Sequence, residues 1–234
     1  MFKEAVYFGS HHIYADMIPA AKSLLINSDV DKIYLLIEDD EFPYELPKSG
    51  VIETINISGL VPRIFDPNGP NYSTEWTYIG LIRVALTKVF PNLDRILTID
   101  CDTIVASDVS DLWELDLMDY YFAGVKEPHL SNMSGGLYVN AGVMMLNLKK
   151  LREDGKDDEL IRLLDTKRMW FVAQDAMNAL CRGRILEISG DYNASTYTTP
   201  TTKPKIVHYA GNRHWRDYEL VRQYRNIPWD QIRI

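Results

Sequence analysis

Apolar residues along this chain follow two alternating rhythms. Short runs rich in β-branched residues are separated by stretches whose apolar positions recur every three or four residues. The first run, Glu4-Ala5-Val6-Tyr7-Phe8-Gly9-Ser10, predicts a strand leading into a turn. A helix is predicted from about Tyr14 to Asn27, because Met17, Ile18, Ala21, Leu24 and Leu25 share a helical face. Lys32 to Ile37 predicts a second strand, so the chain opens β-α-β, which favours parallel pairing. Pro43, Pro47 and Gly50 interrupt it before a third strand, Val51 to Ile57. A loop dense in turn formers, Asp66-Pro67-Asn68-Gly69-Pro70-Asn71, precedes a helix from about Thr74 to Phe90 that Pro91 stops.

Ile96 to Ile99 predicts a core strand ending in Asp100-Cys101-Asp102. Asp108 to Trp113 reads as a short capped turn, Tyr121 to Val125 as a strand, and Pro128 to Gly136 as a loop. Tyr138 to Leu148 is a long apolar strand broken by Asn140-Ala141-Gly142, which marks a bulge or a close backbone approach. Lys149 to Thr166 predicts a charged amphipathic helix, and Phe171 to Leu180 another with Gln174 and Asp175 in its first turn. An acid there also suits the helix dipole. Ile185 to Ile188 and Lys205 to Tyr209 are late strands. The aromatic, basic tail from Asn212 predicts a helix packed on the sheet, with a sugar, anion or membrane-surface contact as the other readings.

The pattern is that of an α/β protein, and 234 residues fit one domain. A net charge of −8 leaves no excess of Lys and Arg to neutralise phosphates, which argues against nucleic acid as a partner. The two cysteines, Cys101 and Cys181, suggest no disulfide framework, which fits a reducing compartment. No apolar run approaches the length of a membrane span, and the N-terminus lacks a signal peptide's pattern. A soluble, cytoplasmic protein is expected, with a peripheral membrane contact left open.

The candidate chemistry centres on Asp100 and Asp102. In an extended backbone residues i and i+2 point to one side, and two carboxylates there repel unless a cation sits between them or one is protonated. Asp29-Val30-Asp31 has the same spacing but lies in a polar stretch, where a solvated turn suffices. Position separates the two: only Asp100 and Asp102 close an apolar strand, where α/β sheets place ligands. His11 and His12, in the first strand-to-helix turn, are nucleotide contacts or solvated loop residues. Arg83 sits among apolar neighbours and needs a partner, an anionic ligand being one option. His208 ends a late apolar strand, as a structural residue or as a third ligand to the aspartate pair.

Together these pieces resemble glycosyltransferase family 8, the family of glycogenin and the lipopolysaccharide galactosyltransferases. Asp100-Cys101-Asp102 is similar to its Asp-x-Asp, Asn140 to Leu148 to its Asn-Ala-Gly strand, Gln174-Asp175 with Asn178 to its Asp-Gln helix start, and His208-Tyr209-Ala210-Gly211 to its His-Tyr-x-Gly. The resemblance implies a GT-A fold: one Rossmann-like domain over residues 1–234 with a mixed central sheet flanked by helices. Residues 1–105 would form the nucleotide-binding half, 106–211 the sugar and acceptor half, and 212–234 the tail. It implies retaining transfer of a hexose, glucose or galactose, from a UDP-sugar to a glycan, lipid-linked sugar or protein. Asp100, Asp102 and His208 would hold Mn²⁺, with Mg²⁺ as the substitute. Donor contacts would come from Phe8, Gly9, Ser10, His11, Tyr14, Arg83, Asp100, Cys101, Asn140, Ala141, Gly211, Arg213 and His214, with Tyr14 as the stacking aromatic. Gln174 would lie beneath the sugar ring with Asp175 beside it, both in the catalytic set.

The chain departs from the family in three places. Gly9-Ser10-His11-His12 stands where the family reads uracil with an acidic residue. Ala173 replaces an acid that contacts sugar hydroxyls, and Arg213 or His214 must stand for a phosphate-binding lysine. Two other readings are a sugar-nucleotide-binding module with weak catalysis and a nucleotidyltransferase-like enzyme. The latter would want a Gly- and Lys-rich phosphate loop, which this N-terminus lacks.

Overall fold

The computed structural model describes residues 2–75 and 77–233. In chain order the strands and α-helices are β1 (Glu4–Phe8), α1 (Tyr14–Asn27), β2 (Lys32–Ile37), β3 (Ile52–Asn56), α2 (Val61–Ile64) and α3 (Ile82–Val89). Then come β4 (Arg95–Ile99), β5 (Thr103–Val105), β6 (Phe122–Lys126), α4 (Pro128–Ser134) and β7 (Val139–Asn147). The rest are α5 (Leu148–Glu153), α6 (Lys156–Thr166), α7 (Ala173–Leu180), β8 (Ile185–Ile188), β9 (Ile206–His208) and α8 (Glu219–Asn226).

Seven strands form a mixed sheet in the order β3-β2-β1-β4-β7-β6-β8. β1 pairs parallel with β2 and β4, as the β-α-β opening predicts, while β7 runs antiparallel to both β4 and β6. Alternation along β1 shows how the sheet is sealed on both faces. Val6 and Phe8 pack into the layer with α3, α6 and α7, while Ala5 and Tyr7 pack into the layer with α1. The order reverses between β1 and β4, which start from neighbouring positions and send their chains away in different directions. The crevice beyond their C-terminal ends is the place where such sheets bind ligands.

Several elements differ from the sequence expectation. Pro128 to Gly136 is mostly helix: Pro128 sits in the first turn, where its fixed φ and missing N–H are harmless, and Gly135 closes α4 at φ +68°. Residues that read as loop formers are here the two ends of a helix. The helix expected from Thr74 is confined to a 3₁₀ turn, Tyr78–Leu81, and α3; Trp76 lies outside the described residues, as do Met1 and Ile234 of the outermost segments. Lys149 to Thr166 is split into α5 and α6 at Gly155, whose φ is +63°.

The tail rests on α1 rather than on the sheet. Lys22 Nζ donates to the Ile227 carbonyl at 2.5 Å, and Asn27 Nδ2 donates to the Tyr224 hydroxyl at 2.7 Å. Cys101 and Cys181 are both buried and free. Among the described residues, no helix is long and apolar enough to cross a membrane.

Candidate active site

The apolar run of β4 is fully buried, and its end delivers Asp100 into the crevice beside Phe8 and Ser10 from the end of β1. The chain then turns through Cys101 and Asp102 into β5, so the aspartates occupy a turn rather than an extended strand. Cys101 faces inward, its Sγ 3.5 Å from the Phe8 carbonyl oxygen. β5 pairs antiparallel with β9, with Thr103 opposite His208. That register brings His208, distant in sequence, against the aspartates: Nε2 lies 3.3 Å from Asp102 Oδ1 and 3.9 Å from Asp100 Oδ2. One ligand atom from each of the three lies within 4.8 Å of the others.

The tautomer of His208 follows from a chain of side-chain amides. Asn140 Oδ1 accepts from the Gly142 N–H at 2.9 Å, and Asn140 Nδ2 donates to Glu127 Oε2 at 3.1 Å. Asn193 Nδ2 donates to that same Asn140 Oδ1 at 3.0 Å. Asn193 therefore presents its oxygen to His208, 2.7 Å from Nδ1, and Nδ1 must carry the proton. In the neutral ring the lone pair is then on Nε2, aimed at the carboxylates. This is how metal-ligating histidines are held, with the second ring nitrogen bonded to an orienting acceptor. The donor set of two carboxylates and one imidazole suits a divalent ion such as Mn²⁺ better than Ca²⁺. Gly142 is required here because a Cβ at this position would overlap the His208 ring.

Titration follows the same geometry. Burial pushes the Asp102 carboxyl up, but the protonated form of His208, whose Nε2–H then donates to it and whose charge attracts it, more than reverses this, leaving it below its usual range. Burial lowers His208, and the two aspartates outweigh that and raise it. Arg83, expected to need a partner, has one in Asp100: Nη2 lies 2.6 Å from Oδ1, and the guanidinium sits 4.8 Å over the Phe8 ring. It lines the same crevice with its side chain 8% exposed, so its charge is fixed in place.

Phe8, Ser10, Arg83, Asp100, Cys101, Asp102, Asn140, Ala141, Gln174, His208 and Gly211 line one cleft of about 610 Å³. β7 bulges where it meets this cleft: Gly124 pairs with Met144 and Lys126 with Val139, so two steps on β6 span five on β7. The bulge turns the Ala141 N–H toward Gln174, whose Oε1 accepts it at 2.7 Å. Gln174 Nε2 then faces the Tyr138 hydroxyl at 3.2 Å and Glu127 Oε2 at 3.5 Å.

Six other candidates lie outside that lining. Gly9 is buried and packs under Ile13. His11 turns to Glu38, Nδ1 to Oε1 at 2.7 Å. Tyr14, expected to stack on a base, is 1% exposed; its hydroxyl donates to Asp39 and accepts from the Glu38 N–H, and burial pushes it up to about 12. Asp175 accepts from the Tyr138 hydroxyl at 2.5 Å and from the Trp170 and Phe171 N–H groups, which makes it a local clamp. Arg213 and His214 are exposed. The tail arginine that reaches the cleft is Arg216, in a two-pronged bond with Asp16 of α1.

Sequence reasoning missed Glu127, Asn193 and Asp16, and had Arg216 only as one of the tail's basic residues, with an anion or sugar contact as one reading. Glu127 had a signal, since it follows the apolar run of β6 as Asp100 follows β4. Asn193 had none. Thr77 and Val172, both lining the cleft, adopt positive φ of 52° and 42°. For a β-branched residue that is strain, which collects at functional sites.

Comparison with known proteins places this geometry. The sequence profile described as Glycosyl transferase family 8 matches residues 30–219. A putative glycosyltransferase of Haemophilus influenzae is 25% identical, over 90% of this chain and 72% of its own length. Glycosyltransferase GlyA of Streptococcus pneumoniae is 26% identical over 97% of this chain, which spans about 34% of that longer protein. The crystal structure of the galactosyltransferase LgtC, in complex with donor and acceptor sugar analogues, superposes with a TM-score of 0.71 at 19% identity, covering 97% of this chain and 98% of that one. At that identity the likeness establishes the architecture, and the mixed sheet flanked by helices is a GT-A fold. The profile match, which runs from before β2 to the start of α8, settles the lineage: this chain belongs to glycosyl transferase family 8.

Proposed function

We propose that the protein transfers a hexose, glucose or galactose, from a UDP-sugar to an acceptor hydroxyl with retention at the anomeric carbon. The carrying observation is the convergence of the His208 Nε2 lone pair with Asp100 and Asp102 at the mouth of β4, beside the Arg83 guanidinium. Asp100, Asp102 and His208 would hold Mn²⁺ or, as substitute, Mg²⁺. When bound, the cation supplies Lewis-acid stabilisation of charge on the departing diphosphate.

The chain's own groups account for the remainder. Arg83 holds Asp100 in place and adds positive charge beside the diphosphate. Asn140 and Ala141 border the sugar, and the bulge of β7 lets the sugar approach the main chain. Gln174 carries a neutral amide, a poor nucleophile, so the acceptor oxygen attacks C1 on the face the UDP leaves. The C1–O bond to the diphosphate breaks as the new C–O bond forms, and the acceptor proton passes to the leaving phosphate oxygen. Gln174 positions the sugar; its oxygen, already bonded to the Ala141 N–H, retains a second lone pair toward developing positive charge. Asp175 positions the loop before α7 and the Tyr138 hydroxyl. Residues 1–105 would serve the nucleotide and 106–211 the sugar and acceptor.

Calorimetric titration of nucleotide sugars, with and without Mn²⁺, tests this reading, together with UDP release over time. Metal-dependent binding of one UDP-sugar followed by slow UDP release is expected. Binding that ignores the metal, or no UDP-sugar binding at all, would overturn it.

A further inference from the structure

A second groove, of about 850 Å³, adjoins the cleft and shares Glu127, Phe171 and Tyr197 with it. Its other walls come from α4 and from the loops before α7 and β9, with Met133 and Trp170 prominent. Large apolar side chains are exposed at nine described positions, and four of them meet here: Trp170 at 80%, Met133 at 71%, Tyr197 at 51% and Phe171 at 38%. A cluster of this kind on a soluble surface marks a binding site.

The backbone that carries Trp170 is held in place. Asp175 Oδ2 accepts from both the Trp170 and Phe171 N–H groups, at 2.9 and 2.8 Å, and Asp175 is held in turn by the Tyr138 hydroxyl. The charge of the groove is one-sided. Its titratable lining is Glu127, Asp175, His129 and Tyr197, and no Lys or Arg is among its described lining residues. A phosphorylated or otherwise anionic ligand would meet two carboxylates and no fixed cation. A neutral pyranose fits both halves of this chemistry: its C–H face stacks on an aromatic ring, and its hydroxyls donate to carboxylates.

We propose that this groove is the acceptor site and that it takes a neutral saccharide, one ring stacked on Trp170 and Tyr197, with its reacting hydroxyl reaching past Glu127 into the cleft. The proposal rests on the transfer reading above for the direction of the reaction. Continuity through Glu127, Phe171 and Tyr197 puts the occupant of the groove beside Gln174, whose Nε2 lies 3.5 Å from Glu127 Oε2.

The test uses p-nitrophenyl glycosides of glucose, galactose and N-acetylhexosamines, with their disaccharides, at millimolar concentration in the presence of UDP and Mn²⁺. Saturation-transfer NMR and tryptophan fluorescence report binding to the full chain and to Trp170→Ala and Tyr197→Ala. At least one glycoside should bind and quench fluorescence. Trp170→Ala should weaken it by roughly tenfold or more, the scale of losing one aromatic anchor, with UDP binding unchanged. Trp170 is so exposed that its truncation leaves the fold intact, and UDP binding verifies that directly. If UDP binds but no glycoside does, the groove is not a saccharide site. Glycoside binding indifferent to both substitutions overturns the proposal, as does preference for sialylated or phosphorylated sugars. Concentration-dependent dimerisation abolished by Trp170→Ala, without glycoside binding, assigns the groove to a second copy and also overturns it. Failure of UDP itself to bind counts against the donor reading and is seen separately.

Discussion

His208 Nδ1–H donates to Asn193 Oδ1 across 2.7 Å, and so leaves the Nε2 lone pair free for a cation held together with Asp100 and Asp102. Asn193 touches no substrate-lining surface in the cleft; it acts by fixing the tautomer and the ring plane. Asn193→Leu should therefore leave the fold in place yet lower Mn²⁺ affinity by roughly 10- to 100-fold, the range for removing an orienting partner of a metal ligand. Gly142→Ala should have a comparable effect by displacing the ring. Mn²⁺ titration followed by electron paramagnetic resonance, with circular dichroism as the folding control, checks both. Unaltered affinity in a folded Asn193→Leu protein would remove Asn193 from the metal site.

Gln174 holds a different kind of position, since its amide is engaged on both sides by Ala141, Tyr138 and Glu127. It contributes no charge to diphosphate binding. Gln174→Ala should bind UDP as the parent does but turn over a UDP-sugar on the order of 10²-fold more slowly, the scale for losing one preorganised electrostatic contact. Steady-state analysis of donor hydrolysis separates the two effects: kcat falls and the donor KM holds. A raised KM with kcat preserved would make Gln174 a binding residue only.

The elements carried by strong periodicity were legible in the sequence. α1 begins and ends where its apolar face predicts, and the Asp100 strand ends as an apolar run closed by carboxylates should. The metal-competent triad needed one long-range fact that no local pattern holds, the β5–β9 pairing; the strand pattern left His208 open between a structural residue and a third ligand, and the family resemblance favoured the ligand. Tyr14 was given a stacking role by the resemblance; it sits at the start of α1, and the helix phase turns its ring into the core, where it packs beside Phe42. The tail was expected on the sheet, with an anion contact as another reading; it lies on α1 instead, where Arg216 bonds Asp16, a buried acid 200 residues earlier in the chain.

That Arg216–Asp16 pair closes one wall of the cleft. Asp16 is 2% exposed, and Arg216 meets it through Nε at 2.7 Å and Nη2 at 2.5 Å, the geometry a guanidinium supplies and an ammonium does not. Half of the arginine is in solvent, so Arg216→Ala should cost about 1–2 kcal/mol rather than the full penalty of a stranded buried charge. Arg216→Lys should recover little of it. Urea unfolding gives the stability, and limited proteolysis should cut the tail after Trp215 faster in both variants. Full rescue by lysine would show that charge alone, not the fork, holds the wall.

Asp157 ties α6 to α3 away from the cleft lining, and it contributes to how the protein responds to acid. Its carboxylate is 3% exposed and accepts from Thr87 Oγ1 at 2.8 Å and from Lys88 Nζ at 3.0 Å. Burial pushes the carboxyl up, and the Lys88 and Thr87 bonds more than offset this, so it titrates below its usual range. A carboxyl with a lowered native pKa stabilises the fold above its unfolded value, and that stability is lost as pH falls through the native value. Asp157→Asn should therefore cost about 1–3 kcal/mol at neutral pH, the charged bonds being replaced by weaker ones. Lys88 retains Asp158 at 2.8 Å, which limits the damage. Below the native pKa the parent also carries a neutral group at this position, and the two proteins should converge. Urea midpoints measured at neutral pH and in steps down through the carboxylate range read this out. A difference that stays constant across the whole range would mean that the asparagine acts through packing, not charge.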